Sequence, residues 1–155
     1  NPVYQISDQM TAFWFKFIYP NASYLEAGQT SYVLSQIKNN FGRFKGFVWE
    51  EMVKQWVFNK KKYLEIGSFW DRKGNEIDIV AYNKETDSVL FGECKTSALK
   101  ATDNEAQKFL LKIVDHPREK AINKKLAFFV SEPIKKTIKE HFLQKFNIEI
   151  ITPQF

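Results

Sequence analysis

The sequence predicts an α/β fold, one mixed central sheet flanked by helices, with a helical extension at the N-terminus. Three observations predict it. Short runs rich in β-branched and aromatic residues, among them Glu76 to Asn83 and Ser88 to Lys95, carry the alternation of strands. Stretches of helical period interleave with them in the order α-β-β-β-α-β-α-β. A 44% hydrophobic content with fifteen Phe in 155 residues supplies the core of one domain with a small appendage.

The elements follow in order. Ser7 or Asp8 is placed to cap a helix from about Gln9 to Tyr19, apolar nearly all round, which Pro20-Asn21 ends. A second helix is expected from Gln29 to Asn40, stopped by Asn39-Asn40-Phe41-Gly42. A third runs from about Lys45 to Lys61, where Lys60-Lys61-Lys62 suits the helix dipole. Strands are expected at Tyr63 to Trp70, Glu76 to Asn83 and Ser88 to Lys95, the first two joined by the turn Asp71-Arg72-Lys73-Gly74-Asn75. A helix over Ala101 to Asp115 stops before Pro117. A strand at Leu126 to Ser131, a helix opened by Pro133 and a strand at Ile148 to Thr152 complete the chain.

Composition narrows the function classes. The single cysteine, Cys94, permits no internal disulfide and points to a reducing, cytoplasmic setting. No apolar run approaches the ~20 residues of a membrane span, and no signal peptide is visible. The Asn-Pro start suggests a fragment or processed product. Of the net charge of +5, the excess lies after Lys95: twelve Lys/Arg against six Asp/Glu in residues 95–145, and eleven of each before. That excess fits a nucleic-acid partner, with Lys100, Lys108 and Lys112 as candidate DNA contacts, and equally fits a lysine-rich surface.

The chemistry-bearing residues sit inside apolar strand runs, where an unpaired charge costs several kcal/mol. On alternation, Glu76, Asp78 and Val80 share one face and Ile77, Ile79 and Ala81 the other. If Lys84 to Asp87 form a four-residue hairpin loop, opposed residue numbers sum to 171, placing Asp78 across from Glu93 and Glu76 across from Lys95. Their Cβ atoms would lie about 4.5–5.5 Å apart, close enough for two carboxylates to share one Mg²⁺ or Mn²⁺. Lys95 would manage the attacking water and Glu76 would tune that lysine. Glu50, on the apolar edge of the preceding helix beside Val53 and Val57, is a further metal-site acid; Glu51 points about 100° away. Gln107, on the helix after Lys95, is in reach of a phosphate or base. His116 and His141 are lone and are read as solvated or helix-terminal, and Cys94 as a small buried hydrophobe. The same residues also compose a structural ion network.

Asp78 followed by Glu93-Cys94-Lys95, with Glu50 as a helix-borne acid, resembles the PD-(D/E)XK nuclease superfamily. The resemblance implies a restriction-endonuclease-like core and metal ligation by Asp78, Glu93 and the Cys94 backbone carbonyl. Over Tyr4 to Lys95 the chain also resembles the C-terminal domain of archaeal-type prokaryotic AAA ATPases, through Phe13-Trp14-Phe15-Lys16-Phe17, Gly46 through Glu50, Trp70-Asp71-Arg72 and Glu76-Ile77-Asp78. This implies residues 1–42 as a helical extension from an upstream ATPase and winged-helix part, and residues 43–155 as a nuclease-like domain. With no G-x-x-x-x-G-K-[S/T] loop, no ATPase activity is expected in this segment. The expectation is a Mg²⁺-dependent DNA phosphodiesterase module. A silent DNA-binding or regulatory module on the same fold, or a protein-interaction domain, is the alternative.

Overall fold

The computed structural model describes residues 8–155, which divide into two compact units, one reaching Val48 and one spanning Trp49–Phe155. The division falls six residues beyond the expected boundary at 42/43, and Tyr4 to Ser7, including Ser7 as a cap, lie outside the described residues.

The first unit is helical. Asp8 caps α1 (Gln9–Phe13) by accepting the Thr11 N–H at 3.1 Å. The expected single helix then changes pitch, through a π turn at Trp14–Ile18 and a 3₁₀ turn at Tyr19–Asn21, before α2 (Ala22–Glu26). Pro20 removes an amide from that turn, and the Asn21 side chain donates to the Phe17 carbonyl at 2.9 Å. Phe13, Phe17 and Phe44 pack ring on ring, with centroids 5.0 to 5.7 Å apart.

One element corrects the sequence reading here. Instead of two helices separated at Asn39-Asn40-Phe41-Gly42, a single 30-residue α3 (Thr30–Asn59) runs through that stretch. Glycine ends a helix when it turns left-handed; Gly42 stays helical, at a cost of only about 1 kcal/mol relative to alanine. The left-handed residue is Lys61, φ 55°, after the helix end.

The second unit holds a five-stranded mixed sheet in sequential order, β1 (Glu65–Trp70), β2 (Glu76–Asn83), β3 (Ser88–Lys95), β4 (Asn123–Val130) and β5 (Ile148–Ile151). The first three are antiparallel neighbours, and β4 and β5 join parallel through α4 (Asp103–Val114) and α5 (Lys136–Phe146). Parallel neighbours need such crossovers, so helices cover the sheet. Ala106, Phe109 and Phe142 from α4 and α5 pack with Val80, Phe91 and Phe128, while Trp49, Val53 and Val57 from α3 pack with Ile79, Ala81 and Phe129. Each fully buried Phe, Ile or Val contributes about 1.5–3 kcal/mol, which fixes the sheet between its helices.

Two of the bounds that moved have local reasons. β4 starts at Asn123 rather than Leu126, because a ladder needs only backbone groups and the side chains of Asn123, Lys124 and Lys125 stay exposed. α5 starts at Lys136 rather than Pro133, since Lys135 is still extended.

The β2–β3 hairpin has the expected register, from Asn83↔Ser88 to Ile79↔Gly92, each pair summing to 171. Asp87 closes its loop at φ 44°, and its carboxylate accepts from the Tyr82 hydroxyl at 3.1 Å and the Ile122 N–H at 2.9 Å. Alternation on β2 is not kept. The β1–β2 pairing shifts between Gly67↔Val80 and Phe69↔Ile77, so that Ser68 faces both Asp78 and Ile79. This bulge moves Ile77 to the Val80 face, with the α4 side, while Ile79 remains on the α3 side. The expected grouping of Ile77 with Ile79 and Ala81 is thereby corrected.

Candidate functional site

The site lies within the second unit, where β2 and β3 stop pairing after Ile79↔Gly92. Asp78 and Glu93 are therefore not a ladder pair. Asp78 Oδ2 instead accepts the Cys94 backbone N–H at 2.7 Å, and Ser68 Oγ donates to the Asp78 carbonyl at 2.9 Å. The Asp78 carboxyl is pushed up to about 6, first by burial and then by the Glu93 charge, against the opposing pull of the Cys94 amide.

Glu50, one residue after the Trp49 that anchors α3 through an indole hydrogen bond to the Phe129 carbonyl (3.1 Å), is half-buried. Among the described residues its carboxylate makes no hydrogen bond or ion pair. Burial, followed by the charge of Asp78, raises its pKa to about 7; Lys54 lowers it and Glu76 adds to the rise. Glu51 is engaged by Lys54 at 2.6 Å.

Glu93 is only 7% exposed and Lys95 projects beside it from the same strand. Lys95 Nζ donates to Glu93 Oε1 at 3.1 Å and to Glu105 Oε2 at 2.7 Å. Burial alone would lower the Lys95 pKa, but Glu105 and Glu93 outweigh it and the net shift is upward. Glu105 falls to about 2, held ionised by its hydrogen bonds from Lys95 and then Lys108. Lys112, from the last turn of α4, lies 3.2 and 3.0 Å from the two oxygens of Glu93. Charges alternate along Lys112, Glu93, Lys95, Glu105 and Lys108, each neutralised by its neighbours.

Several expectations resolve against this geometry. Glu76 is exposed, pairs in the ladder with Trp70, and acts on Glu50; the acids hydrogen-bonded to Lys95 are Glu93 and Glu105, so its expected tuning of Lys95 is replaced by theirs. Lys112, expected on a DNA-facing surface, turns onto Glu93, and Lys108 pairs with Glu105 at 3.0 Å while staying 59% exposed. Lys100 stands exposed on the short turn Ala98–Lys100. Gln107 is exposed about 200° around α4 from Glu105, on the far face. Cys94 is half-buried and its thiol is raised well above its usual range, chiefly by burial and then by the Asp78 charge.

His116 is not solvated. It is 7% exposed, stacks edge-on to Phe69 and Phe91, and accepts the Arg118 N–H on Nδ1 at 3.1 Å; its pKa is lowered, mainly by burial. His141 pairs with Asp103 at 2.8 Å on the surface. Glu105 is the residue the sequence reading missed, although Thr102-Asp103-Asn104-Glu105 has the capping-box pattern that places it in the first turn of α4. Thr102 indeed accepts the Glu105 N–H at 3.3 Å.

A family model described as "Archaea bacterial proteins of unknown function", DUF234, matches residues 14–108. The chain belongs to the DUF234 family. The matched span takes in Glu50, Asp78, Glu93, Lys95 and Glu105, and ends before Lys112. A relative in Methanocaldococcus jannaschii, the uncharacterized protein MJECL04, is 37% identical over 107 residues, 64% of this DUF234 chain and 24% of the relative. The chain thus spans about a quarter of that curated relative's length. No solved structure matches. Among the described residues no helix is long and apolar enough to cross a membrane.

The donor chemistry fits a hard divalent cation. Two half-buried carboxylates, Glu50 and Asp78, both have raised pKa values, Asp78 by burial and the Glu93 charge and Glu50 by burial and the Asp78 charge, and three of their four oxygens take no hydrogen bond from the described residues. Mg²⁺ needs only one or two protein carboxylates beside waters and phosphate, so the absence of a three-residue ligand group among the described residues does not oppose the fit.

Proposed function

We propose that the second unit is a metal-dependent phosphodiesterase of the PD-(D/E)XK type acting on DNA, carried as the C-terminal module of a longer ATPase. One observation carries this reading: Asp78 is raised toward neutrality by burial and the Glu93 charge, and Glu50 by burial and the Asp78 charge, beside a Glu93-Cys94-Lys95 strand end. Carboxylates held this way are relieved by a shared cation. The restriction-endonuclease-like topology is part of the same proposal, supported by three antiparallel strands followed by α-β-α-β.

Asp78 and Glu93 would hold Mg²⁺ or Mn²⁺ with the Cys94 backbone carbonyl, and Glu50 would assist. A cation bound there would supply an acidified water and charge neutralisation at the phosphate. Lys95 acts with the one proton it has left. Two of its three N–H groups go to Glu93 and Glu105, and the third is free to orient the attacking water or to donate to the developing phosphorane oxygen. Glu105 holds that ammonium in place.

A catalytically silent DNA-binding module on the same fold competes, and one feature favours it: both oxygens of Glu93 are occupied by lysines. Incubating the chain with single-stranded, duplex and branched DNA and Mg²⁺ or Mn²⁺ separates the two. Cleavage that EDTA and Asp78→Asn both abolish supports the enzyme. Salt-sensitive binding without cleavage on any of these forms supports the silent module.

A further inference from the structure

Glu93, like Glu105, is held by two lysines, and the two on Glu93 are not equivalent. Lys95 is anchored at both ends of its reach, by Glu93 and by Glu105, and its side chain is 12% exposed. Lys112 has no second acid among the described residues; its side chain is 25% exposed and both of its short contacts are to Glu93. It rises from the last turn of α4, where a cation is favoured by the helix dipole whether or not Glu93 is present. A lysine stem is flexible enough to leave for solvent.

Resting on the metal reading above, we infer that Lys112 is a resident, exchangeable counter-ion for Glu93. It holds the carboxylate oriented through contacts to both oxygens while no cation is bound, and a divalent cation gains Glu93 only by displacing it. Lys95, clamped by Glu105, stays. The displaced ammonium then stands at the mouth of the site, where it meets a polyanionic substrate's phosphate. Occupancy of the metal site and the positive charge offered to the backbone are linked through one side chain. Lys112 is here a positioning residue, acting through Glu93.

The test is Mn²⁺ affinity, read as free Mn²⁺ by electron paramagnetic resonance at neutral pH, for the wild-type chain, Lys112→Met, Lys112→Gln and Lys108→Met. Lys108→Met removes the same charge one turn away, from Glu105, and reports the general electrostatic effect. Circular dichroism verifies the fold, and Lys112→Gln keeps a hydrogen-bond donor should the methionine variant unfold. Loss of a charge-assisted bond predicts Mn²⁺ binding about tenfold tighter in both Lys112 variants. Lys108→Met should stay within about twofold, since its contact is exposed. Equal or weaker binding by the Lys112 variants, beside a wild type that binds, overturns this inference alone, as does an equal gain in Lys108→Met. No Mn²⁺ binding by any of the four proteins sinks the metal reading itself, and the inference with it.

Discussion

Asp78 Oδ2 and the Cys94 backbone N–H are 2.7 Å apart at the point where β2 and β3 cease to pair, so a side chain continues a ladder that the backbone has left. The bulge opposite Ser68 makes this possible, by adding one residue to β2 and turning Asp78 out of its alternating place. The acid is thereby tied to the strand that carries Glu93 and Lys95. Its second oxygen takes no hydrogen bond from the described residues.

Ser68→Ala should show how much of that aim depends on the bulge. Loss of the Ser68 Oγ bond to the Asp78 carbonyl is expected to cost about 0.5–1.5 kcal/mol in chemical denaturation. It should also weaken Mn²⁺ binding, because the Asp78 carbonyl and carboxylate move together. Unchanged metal affinity would show that the Cys94 amide alone sets the acid.

Glu50 gives a pH signature. Its folded pKa, about 7, lies above the ordinary carboxylate value of 4.5, so the folded chain holds this proton more tightly than the unfolded chain does. The protonated form's stabilisation is complete below about pH 4.5 and is lost as pH rises through 7. With EDTA present, Glu50→Gln should therefore melt higher than wild type at pH 8, with the difference shrinking toward pH 5. A difference that is constant across this range would contradict the burial of an unpaired Glu50. Added Mg²⁺ should raise the wild-type melting temperature at pH 8 more than that of the variant.

Lys95→Met separates catalysis from architecture. Lys112 still covers Glu93 in this variant, so the stability loss should sit at or below the low end of the ~3–5 kcal/mol seen on breaking buried ion pairs. DNA cleavage at saturating metal should fall roughly 10² to 10³-fold, the scale of one preorganised donor. Cleavage at the wild-type rate by a folded variant would remove Lys95 from the mechanism.

Gly92 lies one residue before Glu93, with Phe129 and Ile79 against it. A Cβ built there would fall 2.7 Å from Phe129 Cε2 and 3.0 Å from Ile79 Cβ, and Phe129 is fully buried. Gly92→Ala is expected to lose about 1–3 kcal/mol by overpacking, measured by urea denaturation. A loss under about 0.5 kcal/mol would mean that this layer yields.

Much of this was legible in the sequence, for a reason that particular residues make plain. The bounds of β2 and β3 and their register followed from a four-residue loop between two alternating runs, since a turn fixes register once the strands are known. The site acids stood out because they interrupt apolar runs. The bulge did not, because nothing in Ser68 or Asp78-Ile79 marks an extra residue; it is settled by pairing between β1 and β2, which local pattern does not contain. Lys112 and Glu105 were hidden for a related reason. Their roles depend on α4 docking its one face over the end of β3, and a lysine on a helix reads as solvent-facing until its docked side is known.

The most direct test of the central claim is a crystal of the chain soaked in Mn²⁺ and measured at the manganese absorption edge. The account predicts one anomalous peak within coordination distance, about 2.0–2.6 Å for hard cations, of Asp78 and of Glu93 or Glu50, with Lys112 withdrawn from Glu93. A fully soaked crystal with no peak at these carboxylates, and Glu93 still bridged by Lys95 and Lys112, would contradict it.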